Sequence, residues 1–478
     1  MDLDSGAGLL HRLTSYAPDR DWDMPIDDPR VRHDLQPNDP ETVPPQLKSY
    51  AAGLPTLRLP RDLPAPDAPA MAVLSGADLP TLTLDAAQLG RILFLGAGVV
   101  RTTERQGQRF VFRASGSAGA RFPLEVYACT RGVAGVPDGV HWYDAGQHAL
   151  VQVGPAPEGA TSTLVITGVP WRTGWRYAER GWRHIYWDGG TLISQLTAAA
   201  AAAGLTPTLR TTFADAVVRE LVGADGVHEF PIALLSLGEG EPAIGPTGPA
   251  APGELPAVEF PLCTAAQRAG ERDALGEPWA EGAAVAGVPA SDPLDQVILR
   301  RGSQRRMDRT KTLPKSTVES AMAVAMRGIT VPHWVVVHGV DDLAPGVYRW
   351  PDLTHPVREG DLRDELLRVA LNQYLAADAA FVAISAVELA TLDDRSYRDA
   401  QLAAGIVEGR LHLAAYALGA SASGMTFLDS EVPALLGESD DLATLLFTCV
   451  GVPEYRSRAG GLPGAPVEFR RVIPRIEE

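Results

Sequence analysis

An internal repeat constrains the fold of this 478-residue chain more than any other feature of its sequence. The segments TTFADAVVRELVG (211–223) and MTFLDSEVPALLG (425–437) carry five identical residues at one offset of 214 positions. The pairs are Thr212 and Thr426, Phe213 and Phe427, Asp215 and Asp429, Leu221 and Leu435, and Gly223 and Gly437. In both copies a predicted alanine-rich helix precedes the match and a predicted buried strand follows it. The register favours internal duplication and predicts two copies of one fold that pack as an intrachain pseudo-dimer.

The length of the chain also exceeds what one ordinary hydrophobic core supports, so two domains are expected. Residues 1–70 are rich in proline and aspartate and predict an extended N-terminal arm with few helices. Domains are predicted over 71–238 and 292–478. Residues 239–291 are predicted to form a linker. This range begins within the Pro/Gly-rich run GEGEPAIGPTGPAAPGELP (238–256) and extends beyond its end.

Both predicted domains combine buried strands with helices. FPLEVYACTRG and FPIALLSLG read as buried strands, and GVHWYDAGQHALVQVG reads as a hairpin with its turn near Ala145. GGTLISQLTAAAAAAGL predicts a helix that ends at Gly204. After Pro314 the second half repeats this scheme with a helix, the strand HWVVVHGV, the helix AGIVEGRLHLAAYALG and the strand LATLLFTCVG.

Charge and composition exclude several classes of protein. The net charge of −17 argues against a nucleic-acid partner, because a polyanion would be repelled over most of the surface. The three cysteines have no CxxC spacing, which suits a reducing cytoplasm. The sequence shows no secretory signal and no apolar run long enough to span a membrane. No HExxH or related spacing indicates a metal site.

A cluster of arginines stands out against this acidic background. The stretch ILRRGSQRRMD (298–308) contains four arginines within seven residues. Planar guanidinium groups suit bidentate pairing with a phosphate or a carbonyl group. In a chain of this charge, the cluster is expected to hold one small anion. The alternative is a solvated basic patch beside a helix.

The segment RASGSAGARFPLEVYACTRGVAGVPDGVHWYDAGQHAL (113–150) resembles the core of the flavin-dependent nitroreductase superfamily. More narrowly, it is similar to the SagB-type dehydrogenases, which oxidise azolines to azoles in ribosomal peptides. The resemblance covers most of 45–240 and, more weakly, 292–465. It implies an α+β fold with two tandem nitroreductase-like domains, each an antiparallel-dominated sheet flanked by helices. It also implies FMN as the cofactor.

In this superfamily two subunits share FMN at their interface, one through an Arg-Arg-Ser-x-Arg motif and the other through a Ser-Ala-Gly loop. Here the arginine motif occurs only in the second half and the Ser-Ala-Gly loop only in the first. The resemblance therefore implies one composite flavin site, with the second site lost. The implied cofactor contacts are Arg300, Arg301, Ser303, Arg305, Ser117, Ala118 and Gly119.

Two further segments of the second half match family positions near the flavin. The turn after the alanine-rich helix, with Gly424, Met425 and Thr426, is implied to lie near the isoalloxazine ring. Arg456 and Arg458 are implied to meet the phosphate, with an ordinary polar tail as the alternative.

An azoline dehydrogenase also needs a base, and some members of the family use a Lys-Tyr pair. None of the three lysines here adjoins a tyrosine, although Lys48 is two residues from Tyr50. The remaining catalytic candidates in the matching region are Tyr177, Glu179, Arg183, His184 and Tyr186. Each has a structural role as its alternative.

Three functions remain open. The first is an FMN-dependent dehydrogenase or oxidase acting on a peptide or peptide-like natural-product intermediate, free or bound to a carrier or leader peptide. The second is an NAD(P)H-dependent reductase of a small molecule, and the third is a non-catalytic scaffold of a peptide-modifying complex. The acidic arm over 16–45 either covers the flavin, binds a leader peptide or forms a disordered tail. Whether the pseudo-dimer pairs again as a homodimer stays open.

Overall fold

The computed structural model describes residues 1–20, 28–31, 36–105, 107–248, 250–254 and 258–475. In the first half the strands are β1 (Thr56–Arg58), β2 (Val99–Arg105), β3 (Gln108–Arg113), β4 (Leu124–Thr130), β5 (Gly139–Asp144), β6 (Ala149–Gly154), β7 (Thr163–Gly168), β8 (Thr208–Arg210) and β9 (Phe230–Ser236). In the second half they are β10 (Leu313–Pro314), β11 (His333–Val337), β12 (Val340–Asp341), β13 (Gly346–Arg349), β14 (Pro356–Glu359), β15 (Phe381–Glu388), β16 (Ser421–Met425), β17 (Leu442–Gly451) and β18 (Val467–Glu468).

The helices surround these strands and connect the two halves. Those that begin before residue 270 are α1 (Gly6–Thr14), α2 (Ala70–Ser75), α3 (Ala86–Ala97), α4 (Pro170–Tyr177), α5 (Gly181–Ala202), α6 (Asp215–Val222) and α7 (Pro261–Ala269). The others are α8 (Leu294–Arg300), α9 (Lys315–Ala325), α10 (Arg363–Val369), α11 (Tyr374–Asp378), α12 (Asp394–Ala417) and α13 (Val432–Leu436).

The two main sheets have the same strand order. The first runs β1-β6-β5-β4-β7-β9-β8 and the second runs β14-β13-β11-β15-β17-β16. All neighbours in both sheets pair antiparallel. The extra edge strand β1 comes from the N-terminal arm, and β18 from the C-terminal tail pairs with β2 of the first half. The α+β, antiparallel-dominated fold class is confirmed.

The central strand β4 is buried along its whole length because both faces of the first sheet are covered. Val126 and Ala128 pack into the main core with the helices. Tyr127 and Cys129 point to the opposite face and join a second cluster that includes Trp142. The strand therefore reads in sequence as a mostly apolar run, in which the buried Glu125 is paired with Arg172.

The two long helices α5 and α12 pack against each other at the centre of the molecule. A Cβ atom added to Gly190 would lie 2.3 Å from the carbonyl carbon of Gly405, and one added to Gly405 would lie 2.4 Å from the carbonyl oxygen of Trp187. Trp187 Nε1 donates to Gln401 Oε1 at 2.6 Å. Glycine on both helices allows this close approach, so the two halves share one interior.

The predicted arm and linker are more ordered than their composition indicates. The arm contains helix α1, and the segment predicted as a linker contains the buried helix α7, which packs on α1. Leu262, Cys263 and Ala266 of α7 are buried. The apolar residues of α1 and α7 lie at helical spacing and are buried against each other and the main core, which stabilises both helices within Pro-rich stretches.

No helix in the described ranges is both long and apolar enough to cross a bilayer. Within the same ranges, no group of three or more His, Cys, Asp or Glu side chains is arranged to hold a metal ion.

Candidate functional site

The loop between β3 and β4 is held by a carboxylate from helix α5. Ser117 Oγ donates to Asp188 Oδ2 at 2.6 Å, and the Ala118 amide donates to Asp188 Oδ1 at 3.0 Å. The Phe122 amide in turn donates to Ser117 Oγ at 2.7 Å. Gly119 has a φ of 58°, and a Cβ atom there would lie 2.8 Å from the Tyr177 hydroxyl oxygen. The loop is thus fixed in shape by the first half alone.

Arg301 brings the second half to this loop. It follows helix α8, is 3% exposed, and donates through Nη2 to the carbonyl oxygen of Ala114 at 2.6 Å. Arg101 of the first half donates to the Arg301 carbonyl oxygen at 2.9 Å. Within the described residues, no carboxylate oxygen lies within 4.0 Å of the Arg301 guanidinium, and its Nε has no hydrogen-bond partner. A buried cation without a paired carboxylate suits an anionic ligand.

Two side chains of α12, one turn apart, lie beside Arg301. Together with Arg301, Asp188 and the Ser117 loop they form a group here called the composite cluster. Arg301 Nη1 donates to His412 Nδ1 at 3.1 Å, and His412 Nε2 lies 3.7 Å from Glu408 Oε1. A Cβ atom added to Gly424 would lie 2.3 Å from Glu408 Oε1, so the missing side chain of Gly424 makes room for this carboxyl group. The Glu408 carboxyl group therefore occupies the space that a side chain at residue 424 would need.

The two acidic groups of the cluster have raised pKa values. Burial raises the pKa of Asp188 to about 7. Burial and the nearby charge of Asp188 raise the pKa of Glu408 to about 8. Burial and the charge of Arg301 lower the pKa of His412 well below its ordinary value, so this imidazole is neutral. Perturbed groups gathered between two halves of a protein are a feature of functional sites.

No protein-family model matches this chain. A candidate nitroreductase of Methanocaldococcus jannaschii is 29% identical over 166 residues, covering 32% of this chain and 79% of the relative. The crystal structure of a candidate nitroreductase from Anabaena variabilis matches 94% of this chain and 100% of its own length, with a TM-score of 0.72 at 22% identity.

The chain has a nitroreductase-like fold. At 22% identity the Anabaena structure establishes the fold alone. A chain of the E. coli microcin synthetase complex also matches, over 34% of this chain and 69% of its own, with a TM-score of 0.28 at 19% identity. That score is too low to support a statement about substrate.

The rest of the arginine motif of this nitroreductase-like chain is more exposed than Arg301. Arg305 is half-buried, and its amide donates to the Tyr455 hydroxyl at 3.1 Å. Arg300 pairs with Asp292 at 2.8 Å, and Ser303 is exposed.

The other predicted cofactor contacts also include both buried and exposed residues. Met425 is buried and Thr426 half-buried at the end of β16, beside Gly424. Arg456 is exposed, and Arg458 donates to the carbonyl oxygen of Glu468 at 2.7 Å. Arg458 is therefore engaged with the C-terminal tail, as the polar-tail alternative supposes.

Of the predicted catalytic residues, Tyr177 and His184 lie together beside the Ser117 loop. Their rings stack with centroids 4.0 Å apart. Neither His184 nitrogen has a hydrogen-bond partner among the described residues. Burial and the charges of Arg180 and Arg183 lower the pKa of His184 well below its ordinary value, so this imidazole is also neutral.

Glu179, Arg183 and Tyr186 are engaged elsewhere. The Glu179 carboxylate accepts the Cys263 amide at 3.0 Å, at the start of α7, and burial raises its pKa to about 7. Arg183 pairs with Asp429 at 2.7 Å, and the Tyr186 hydroxyl donates to Gln267 at 2.9 Å. These contacts hold the three side chains in the packing between elements.

The position equivalent to Gly424 in the first half, 214 residues earlier, is Arg210, and the chain itself covers the surface around it. A segment over 271–290, here called the strap, crosses this surface. The Trp279 amide donates to the Leu209 carbonyl oxygen at 2.7 Å, and Trp279 Nε1 donates to that of Gly328 at 3.1 Å. The strap therefore lies along the edge of β8, next to Arg210.

Folding brings together a lysine and a tyrosine that are far apart in the sequence. Lys48 Nζ donates to the Tyr127 hydroxyl at 2.6 Å and pairs with Glu229 at 2.5 Å. Tyr127 belongs to the sheet face opposite Val126, under the arm. Its contacts within the described residues do not include the Ser117 loop.

Sequence reasoning also missed Asp188, Glu408 and His412. A signal was present for the last two, since acid and histidine stand four residues apart within the mostly apolar run AAGIVEGRLHLAAYALG, which also contains Arg410. Such spacing places both side chains on one face of a helix.

Proposed function

We propose that this chain is an FMN-dependent oxidoreductase with a single flavin site between its two halves. The observation that carries the proposal is Arg301 of the second half, buried against Ala114 of the first without a paired carboxylate. FMN is an anion whose ring presents carbonyl and nitrogen acceptors, which matches the free donors of this guanidinium. Curated and solved relatives named as candidate nitroreductases agree with the assignment.

The residues of the composite cluster fit the cofactor in distinct ways. Arg301 and Arg305 would pair with its phosphate or ring acceptors, and the backbone of Ser117, Ala118 and Gly119 would line the other side. When bound, FMN supplies hydride transfer. The protein holds the loop through Asp188, keeps Arg301 out of water, and places neutral Tyr177 and His184 beside the loop. We place Gly424, Met425 and Thr426 at the ring and leave Arg456 as a phosphate contact from the surface.

For the substrate we propose a peptide or peptide-like natural-product intermediate, with oxygen as the final electron acceptor. The resemblance of residues 113–150 to SagB-type dehydrogenases supports this class. The second candidate is an NAD(P)H-dependent reductase of a small molecule, which the names of the relatives favour. Substrate oxidation in air without added nicotinamide supports the first candidate, whereas flavin reduction that requires NAD(P)H supports the second.

The one-site proposal has further support in the strap, which covers the counterpart surface. The equal strand order of both halves supports tandem duplication as their origin. Cys129, Cys263 and Cys449 are buried free thiols, which supports a reducing compartment such as the cytoplasm.

The test is the visible spectrum of the purified protein, with FMN quantified per chain after denaturation. One FMN per chain is expected, and Arg301→Ala should lose it because the buried donor group is removed. The matched control is Arg309→Ala, an exposed arginine of the same segment, which should keep it. Absence of FMN even after incubation with excess cofactor would refute the flavoprotein assignment and favour a non-catalytic scaffold. Two FMN per chain would refute the single site.

A further inference from the structure

We propose that Glu408 is the group that holds and exchanges a proton in the composite site, with His412 and Arg301 as its positioning residues. The proposal rests on the FMN-dependent function above and adds a residue to it. Glu408 lies in helix α12 of the second half, on the turn that faces Gly424 of β16.

The position of the carboxyl group is defined by its surroundings. Its side chain is 13% exposed and lies against the backbone of Gly424. Any side chain at residue 424 would displace it, because an added Cβ atom would come within 2.3 Å of Oε1. Glu408 therefore lies where the predicted ring-facing turn begins.

His412 links Glu408 to Arg301 in one defined tautomer. A guanidinium group only donates, so His412 Nδ1 accepts from Arg301 Nη1 at 3.1 Å. The neutral imidazole then carries its hydrogen on Nε2, which lies 3.7 Å from Glu408 Oε1. Arg301 thus orients the imidazole, and the imidazole presents its N–H towards the carboxyl group.

The titratable groups that face Glu408 within the described residues come from four segments of the chain. Helix α5 contributes Asp188, the segment after α8 contributes Arg301, β17 contributes Cys449, and its own helix contributes His412. Arg301 favours the ionised form, but burial and Asp188 favour the neutral form and prevail. The proton is therefore present near neutral pH and can be exchanged there.

Asp188 is less suited to this task although it is more deeply buried. Both of its oxygens accept hydrogen bonds from the loop, one from Ser117 and one from Ala118. Losing or gaining a proton at Asp188 would disturb the loop. Within the described residues no hydrogen bond joins Glu408 to this loop, so its proton can move without breaking the loop.

The proton balance gives Glu408 a role in either direction of the reaction. In an oxidation, bound FMN would supply the hydride acceptor, and the ionised Glu408 carboxylate would take the proton that the substrate loses and later release it to water. In a reduction, bound reduced FMN would supply the hydride, and the neutral Glu408 carboxyl group would give the proton. Two electrons and two hydrogens move in each case.

The first measurement is infrared difference spectroscopy of the protein titrated from pH 6 to 10. A band of a protonated carboxyl group that disappears near pH 8 is expected in the native protein and in the control Glu319→Gln, a half-exposed glutamate of α9. The band should be absent in Glu408→Gln, and Glu408→Asp should retain one. If the Glu408→Gln variant keeps the band, the proposal is overturned.

The second measurement is turnover against pH for proteins loaded with FMN, with FMN content and thermal unfolding checked for each variant. Glu408→Gln should lower kcat by about 10²-fold, the usual share of a positioned acid or base, and should remove the pH dependence near 8. An unchanged profile at full FMN content would overturn the proposal. If the unmodified protein shows the titrating band but binds no FMN, the flavoprotein function is refuted. The assignment of the proton to Glu408 then still holds.

Discussion

Asp215 of the first half and Asp429 of the second, 214 positions apart, bind arginines of the opposite half in the same way. Asp215 accepts from Arg395 at 2.8 Å and from Arg398 at 3.5 Å, both near the start of α12. Asp429 accepts from Arg180 at 2.8 Å and from Arg183 at 2.7 Å, at the start of α5. All of these side chains are buried. This reciprocal exchange gives the contact between the halves the character of an isologous interface within one chain.

Replacing either aspartate should destabilise the fold strongly. Asp429→Asn would leave Arg180 and Arg183 buried without a countercharge, at a cost of about 3–5 kcal/mol in the free energy of unfolding. Chemical denaturation measures this cost, with Asp440→Asn, an exposed residue of the second half, as the control. A loss below about 1 kcal/mol would contradict a buried ion pair at this position.

Stability should fall in acid because of the same carboxylate. Burial would raise the pKa of Asp429, but Arg180 and Arg183 outweigh burial and lower the pKa to about 2. An aspartate in the unfolded chain titrates at about 3.9. The stabilisation is therefore complete above about pH 4 and is lost as the pH falls towards 2. Denaturation curves across this range should show a smaller acid dependence in Asp429→Asn; an equal dependence would assign the effect to other carboxylates.

The close packing of α5 and α12 should not tolerate a side chain at Gly405. A methyl group there would meet the backbone of Trp187 at 2.4 Å, and backbone cannot move aside as a flexible side chain can. Gly405→Ala should cost about 1–3 kcal/mol through separation of the two helices. Gly248→Ala, where the nearest atom would be 3.9 Å away, is the matched control in the same thermal unfolding experiment. Equal melting temperatures would contradict the packing.

Removing the tryptophan of the strap should open the counterpart surface without creating a second flavin site. Trp279→Ala loses the hydrogen bond to Gly328, but Arg210 still occupies the position of Gly424. FMN content should stay at one per chain, while the free energy of unfolding falls by about 1–2 kcal/mol. Leu275→Ala, an exposed strap residue, controls for the substitution itself. A second FMN in Trp279→Ala would show that the strap, and not the lost residues, closes that site.

The sequence by itself determined the main features of this fold. The buried runs around Leu124, Phe230 and Leu442 became strands, and the turn near Ala145 became a hairpin. The 214-residue offset anticipated two sheets of equal strand order, and Gly223 and Gly437 end equivalent helices with φ values of 69° and 71°. Such features can be predicted from the sequence because the alternation of apolar and polar residues, helical spacing and glycines in the left-handed conformation are local properties of a chain.

Tertiary structure alone decided which polar side chains meet in the interior. Asp188, Glu408 and Arg301 come from three distant segments, and Lys48 finds Tyr127 across 79 positions of the chain. Helix α7 likewise forms in the segment predicted as a linker because helix α1 of the arm packs on its apolar residues. The physical reason is that a polar group can be buried only where partners from other elements compensate it, and these partners leave no periodic trace in the sequence.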